Sequence, residues 1–185
     1  MSLNSKAWKR ISLGAVTLVS AAVLTACGGG SSTTSSSKDE INWYLPTEIS
    51  TLDISKVTDS YSSIAIGNSG SNLLRRDKNG DLQPDLAAKD IEVSDDGLTY
   101  TATLRDNLKW SDGSDLTAED FVYTWQRIVD PKTASEYAYL VSDAHVLNAE
   151  EVINGTKSVD ELGVKADGNK VIFTLSSPSP QFMSL

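Results

Sequence analysis

The pattern of apolar and polar residues is clearest between Leu104 and Pro131, where it predicts a strand end, an acidic turn and an amphipathic helix. The helix begins after Thr117, an N-cap residue that is followed three positions later by Asp120 in an acidic version of the capping box. It ends at Asp130, because the residue before a proline is pushed out of the α region. Between these ends, apolar side chains recur on one helical face: Phe121, Val122, Trp125, Ile128 and Val129.

Two further stretches of the chain alternate between apolar and polar residues with the period of a β-strand. In the first, residues 91–93 and 98–104 flank Asp95-Asp96-Gly97, a hairpin signal. In the second, residues 164–166 and 171–175 flank a turn at residues 167–169. We therefore expect two hairpins, each with one buried and one wet face.

The remaining segments carry weaker patterns, which predict short elements and turns. In chain order these are a strand at residues 41–45, a helix at 62–74, a turn at 75–81, one helical turn at 84–89, and short helices at 134–141 and 148–153. Strands and helices of these lengths indicate a mixed α/β (α+β) fold.

The N-terminal residues have the pattern of a targeting signal rather than of a folded domain. Residues 1–26 combine a positive start with a mostly apolar stretch that is too short for a comfortable membrane span. Cys27, the only cysteine, follows Leu-Thr-Ala, which resembles the lipobox of bacterial lipoproteins. Residues 27–39 then form a flexible Gly/Ser/Thr linker, and residues 40–185 form the folded part. The alternative is an ordinary secreted protein with a chance cysteine.

Charge and residue content argue against several functions. The formal net charge of −9 disfavours nucleic-acid binding, because phosphate backbones repel an acidic chain. His145 is the only histidine, and neither a Gly-x-Ser-x-Gly elbow nor a zinc-ligand cluster is present in the sequence. The carboxylates of residues 112–120 fit turn and capping chemistry, and residues 77–81 fit a turn better than a calcium loop. We expect no catalytic residue, metal or cofactor.

The best-defined stretch also carries a resemblance to a known family. The motifs are Leu104-Arg105, Lys109-Trp110-Ser111-Asp112-Gly113, Thr117-Ala118-x-Asp120-Phe121-x-x-x-Trp125 and Asp130-Pro131. They resemble the signature of the extracytoplasmic solute-binding proteins that serve peptide and nickel ABC importers, and within that group the oligopeptide-binding proteins. Three departures affect local loop shape: Ile54, Asn72 and Asp115 stand where the family usually has proline, glycine and proline.

The resemblance implies a fold and a ligand site. Members of the family have two lobes that close on an extended peptide, so residues 40–185 would form the first lobe only, incomplete, and we expect an N-terminal fragment. Thr58, Asp59 and Ser60 would edge the cleft, and Tyr137 matches a ligand-contacting tyrosine. The alternatives are a plain polar loop for the first three and a core-lining role for Tyr137.

The resemblance also implies a function for the intact protein. It would be a lipid-anchored receptor, not an enzyme, that captures oligopeptides at the surface of a Gram-positive cell and delivers them to an ABC permease. A receptor for dipeptides, nickel or a peptide pheromone would share the same scaffold. Two functions from different classes also stay open: a surface interaction lipoprotein without transport and, last, a surface hydrolase.

Overall fold

Secondary structure is described for residues 42–185 in a computed structural model, so the predicted signal peptide, Cys27 and the linker that follows it lie outside the described part. Residues 45–185 fold as one unit. Its elements, in chain order, are α1 Ser60–Ser69, β1 Leu74–Arg76, β2 Leu82–Pro84, β3 Glu92–Val93, β4 Thr99–Thr103, α2 Ala118–Val129, α3 Tyr139–Asp143, α4 Ala149–Ile153, β5 Val164–Asp167 and β6 Lys170–Thr174, with 3-10 helices at Val159–Glu161 and Phe182–Ser184.

The centre of the unit is a four-stranded antiparallel sheet with the order β3-β4-β6-β5. Both predicted hairpins are confirmed: β3 pairs with β4, and β5 pairs with β6. The middle pair joins distant parts of the chain, since Thr99 lies opposite Thr174 and Thr103 opposite Lys170. A separate two-stranded sheet is formed by β1 and β2 around the predicted turn.

One face of the sheet is covered by α2, as the alternation in the sequence requires. Tyr100 and Ala102 of β4 are buried, as is Leu104 directly after it, and Val171 and Phe173 are buried along β6. The ring of Phe173 meets Trp125 of α2 edge-on, with centroids 5.1 Å apart, so the predicted apolar stripe packs on the sheet. Burial of such a side chain contributes about 1.5–3 kcal/mol, which makes this layer the main source of stability.

The ends of α2 lie where the sequence predicts them. The backbone N–H of Thr117 donates to Asp120 Oδ2 at 2.8 Å, the reciprocal half of the capping box. Asp130 has extended backbone angles ahead of Pro131 and ends the helix.

One position in the core requires glycine, because two segments of the chain approach each other closely there. A Cβ on Gly163 would lie 2.5 Å from the Thr174 carbonyl oxygen and 2.7 Å from Leu147 Cβ. No side chain larger than hydrogen fits there without moving the chain leading into β5.

Two of the weaker predictions are wrong. Residues 42–45 form no strand. Residues 84–89 form no helical turn, because their backbone pairs with the end of β4: Ala88 N–H donates to the Thr103 carbonyl at 2.7 Å, and Arg105 N–H to that of Leu86 at 3.0 Å. Tertiary pairing here overrides local propensity.

Each of three predicted helices is present, but the observed bounds differ from the predicted ones to different degrees. The first helix is α1, which begins earlier, at Ser60, and ends at Ser69 before β1 takes Leu74 into a hairpin. The second, α3, starts only at Tyr139: Ala134 has a φ of 54°, which is not helical, and residues 136–138 form a turn. The third, α4, matches closely and stops before Gly155, whose φ is 71°.

Candidate ligand-binding site

The residues predicted to edge the cleft lie in a hydrogen-bonded segment from Ser50 to Ser62, here called the polar loop. Asp59 organises it: the Ser50 hydroxyl donates to Asp59 Oδ2 at 2.5 Å, and the Ser62 backbone N–H donates to Oδ1 at 2.8 Å. Asp59 is thereby the N-cap of α1. These hydrogen bonds, that from Ser50 first, lower the pKa of Asp59 to about 2, so its carboxylate is ionised at neutral pH.

Thr58 and Ser60 flank Asp59 and are both exposed or half-exposed. Their hydroxyl and backbone groups are accessible to a ligand, whereas the Asp59 carboxylate is engaged within the loop. The segment can therefore offer a negative charge held in place and polar groups on either side of it.

A bidentate ion pair ties the polar loop to α2. Arg127 donates through Nη1 to Asp53 Oδ1 at 2.5 Å and through Nη2 to Oδ2 at 2.6 Å. The hydrogen bonds from Arg127 hold the pKa of Asp53 below its ordinary value, and the same pair raises the pKa of Arg127. Both groups stay charged over the physiological range.

Tyr137 lies on the surface rather than in the core, with 41% of its surface exposed. Its ring contacts that of Tyr139, with centroids 6.4 Å apart and planes at 47°. Tyr139 is also exposed, so the two rings form an aromatic pair on the surface.

An open groove of about 720 Å³ adjoins this aromatic pair. Its lining is mostly polar and includes the exposed His145: Tyr139, Ser142, Asp143, His145, Glu150, Ile153, Asn154 and Gln181. Tyr137 is not among the lining residues, and Tyr139 connects it to the groove.

The predicted site residues thus form two groups. Thr58, Asp59 and Ser60 are together at the start of α1, whereas Tyr137 belongs to the turn before α3. Among residues 42–185, none of the hydrogen bonds, ion pairs or aromatic contacts joins the two groups.

Sequence reasoning missed three residues of these surfaces: Asp53, Arg127 and Tyr139. Asp53 and Arg127 are 74 positions apart, and no local pattern pairs them. Arg127 lies outside the apolar stripe of α2, where an arginine is expected to be solvated. The only sequence feature that points to Tyr139 is that it is a second aromatic residue, two positions after Tyr137, in a turn-rich segment.

The described part of the chain contains neither a grouping of metal-ligand side chains nor a membrane span. No three or more histidine, cysteine or acidic side chains in residues 42–185 are placed to hold a metal ion. No helix within that range is long and apolar enough to cross a bilayer.

Comparison with known proteins matches both the sequence and the fold. The chain is 48% identical over 178 residues to the dipeptide-binding protein of Lactococcus lactis, and the match covers 96% of this chain and 31% of the relative. It is 36% identical to the oligopeptide-binding protein OppA of Bacillus subtilis, over 96% of this chain and 33% of that protein. The chain therefore spans about a third of the length of these curated relatives.

Solved structures give the same result. The Escherichia coli murein tripeptide binding protein MppA superposes with a TM-score of 0.71 at 37% identity, covering 75% of this chain and 27% of that one. The substrate-binding domain of an oligopeptide ABC transporter from Bacillus anthracis gives 0.69 at 44% identity, with 74% and 26% covered. This chain thus has the mixed α/β fold of one part of a peptide-binding protein.

The family follows from a match to residues 81–185 of this chain. That range holds the sheet, α2 and the motifs around Trp110, and it matches the family described as bacterial extracellular solute-binding proteins, family 5 Middle. The chain belongs to family 5 of the bacterial extracellular solute-binding proteins.

Proposed function

We propose that the whole protein is a receptor that captures oligopeptides outside the cell membrane and delivers them to the permease of an ABC importer. The similarity to proteins named for peptide binding, along 96% of this chain, is the observation that supports this most strongly. Capture needs no reactive side chain, because a closing two-lobed receptor makes and breaks no covalent bond.

In this proposal, the polar loop and Tyr137 contribute to one wall of the peptide cleft. Thr58 and Ser60 present polar groups beside a fixed carboxylate, and Tyr137 offers a half-exposed phenol. Hydrogen bonds to the main chain of an extended peptide give affinity without sequence choice, while hydrated pockets tolerate varied side chains.

Calorimetry of the full-length gene product tests the proposal directly. Alanine peptides of three to five residues should bind with a stoichiometry of one. Tyr137→Phe removes one hydroxyl and should weaken binding by about 1 kcal/mol, roughly fivefold. Tyr139→Phe is the matched control, since it removes a neighbouring hydroxyl and should leave the affinity unchanged. Absence of binding by every peptide would refute the proposal.

A dipeptide receptor is the second candidate, because one relative, at 48% identity, is named for dipeptides. The same calorimetry with dialanine distinguishes the two. Binding of dialanine more tightly than of the longer peptides would favour the dipeptide receptor. Titration with Ni²⁺ tests the nickel-binding alternative.

We further propose that the mature protein is anchored through a diacylated Cys27 to the outer face of the cell membrane of a Gram-positive cell. Two acyl chains suffice for stable anchoring, and the following linker would let the folded part hang clear of the bilayer. Mass spectrometry of the mature N-terminus should find a lipid-modified cysteine. Cys27→Ser should move the protein from the membrane to the soluble fraction; retention in the membrane would contradict the anchor.

A further inference from the structure

The ion pair between Asp53 and Arg127 differs from the two further ion pairs among residues 42–185. Its side chains are only 29% and 30% exposed, and it joins segments far apart in the chain. The pairs Lys89–Glu92 and Lys109–Asp115 are local in sequence and at least half exposed. An exposed ion pair between lysine and a carboxylate contributes little to stability. A partly buried, bidentate pair between arginine and a carboxylate fixes both the distance and the orientation of the two groups.

Asp53 also shapes the turn that leads to Thr58. Its Oδ1 accepts from the Ser55 backbone N–H at 3.1 Å, and its carbonyl accepts from the N–H groups of Lys56 and Val57 at 2.9 and 3.0 Å. Asp53 is therefore hydrogen-bonded to the backbone of three of the residues that lead to Thr58.

Apolar packing does little to hold this turn in place. The neighbours Leu52 and Ile54 are 65% and 55% exposed, so neither anchors the turn in the core. The opposite end of the ion pair is firmly held, because α2 packs on the sheet through Trp125. The guanidinium thus links the turn to a rigid element through two charge-assisted hydrogen bonds.

We propose that Arg127 is a positioning residue for ligand binding: through Asp53 it holds the polar loop so that Thr58, Asp59 and Ser60 stand in their binding arrangement before the peptide arrives. The inference rests on the proposed peptide-binding function. A preorganised loop does not have to be ordered on binding, which strengthens affinity without adding a contact. Lysine cannot replace arginine in this role, because it lacks the planar fork.

Two substitutions in the full-length protein separate charge from geometry. Asp53→Asn keeps an oxygen for the Ser55 N–H but removes the charge, and Arg127→Lys keeps the charge but removes the fork. For each variant, hydrogen exchange of the backbone amides of residues 55–60 is measured without ligand, and the affinity for trialanine is measured by calorimetry. Both variants should show exchange rates and dissociation constants raised about tenfold.

Asp115→Asn is the matched control, since it breaks the exposed pair with Lys109 and should change neither quantity. A purely structural role of Arg127 would lower the melting temperature but leave the affinity of the folded protein unaltered. Unchanged exchange and affinity in both variants would overturn the inference, as would an equal effect of Asp115→Asn. If the unmodified protein binds no peptide, the proposed function fails, and the exchange rates of residues 55–60 alone decide whether Arg127 positions the loop.

Discussion

The two longest helices of the described part are held in different ways. In α2, Ala118 and Val129 are buried and Trp125 packs against Phe173 of the sheet. In α1, the buried residue is a serine, Ser62, and the helix packs extensively on none of the remaining described elements. Apolar packing therefore fixes α2, whereas a capping carboxylate and hydroxyl contacts fix α1.

In the proposed receptor, this difference would match what each helix has to do. A platform must keep its shape when ligand enters and leaves, and buried apolar area provides that without depending on the ionisation of any group. An edge that meets ligand has few buried contacts and can open locally at a lower free energy than the core. We expect perturbations of the packed layer to unfold the protein and perturbations of the polar loop to act locally.

The largest effect is expected from Phe173→Ala, which removes the ring that packs between the sheet and α2. Loss of a buried aromatic side chain typically costs about 3–5 kcal/mol of unfolding free energy. Chemical denaturation of the full-length protein measures it. Val93→Ala at the exposed edge of the sheet is the control and should be nearly neutral.

Gly163→Ala should come second, because its methyl group would overlap the Thr174 carbonyl and Leu147. Such overpacking costs about 1–3 kcal/mol. The same denaturation experiment checks it, and an unaltered midpoint would mean that the chain before β5 yields more easily than its contacts suggest.

Gly67→Ala should have a smaller effect of opposite sign. Gly67 lies within α1, and no atom outside the neighbouring backbone of that helix lies within 4 Å of the added Cβ. Alanine is favoured over glycine inside a helix by about 0.5–1 kcal/mol. Slower amide exchange in α1 without any change in α2 would sharpen the contrast between the two helices.

The smallest effect is expected from protonation of Asp59 in acid, which should act on α1. The pKa of Asp59 is about 2 in the folded protein against an ordinary 3.8, so its ionised form stabilises the folded state above that ordinary value. This contribution is lost as the pH falls through about 2. Amide exchange in α1, corrected for its intrinsic pH dependence, should accelerate over that window. Asp59→Asn should remove the pH dependence while keeping a capping oxygen.

Sequence reasoning predicted the parts of the fold whose patterns are local. The apolar stripe of α2, its cap at Thr117 and both hairpins depend on residues within a few positions of one another. It failed for residues 84–89, which are helix-compatible by themselves but pair with β4, and for Ala134, whose positive φ no local pattern indicates.

The candidate site was less accessible to such reasoning. Asp59 was chosen from a family resemblance, and its capping role became visible only with the Ser50 and Ser62 contacts. The partner of Asp53 lies 74 residues away, beyond any periodicity. The ligand roles of Thr58, Asp59, Ser60 and Tyr137 stay predictions until binding is measured.

The pairing of β4 with β6 sets the order of events during synthesis. Thr99 leaves the ribosome long before its partner Thr174, and at about 5–20 residues per second the interval lasts several seconds. During it, the edge of β4 that later pairs with β6 has no partner, and the backbone N–H and C=O groups along that edge are unpaired.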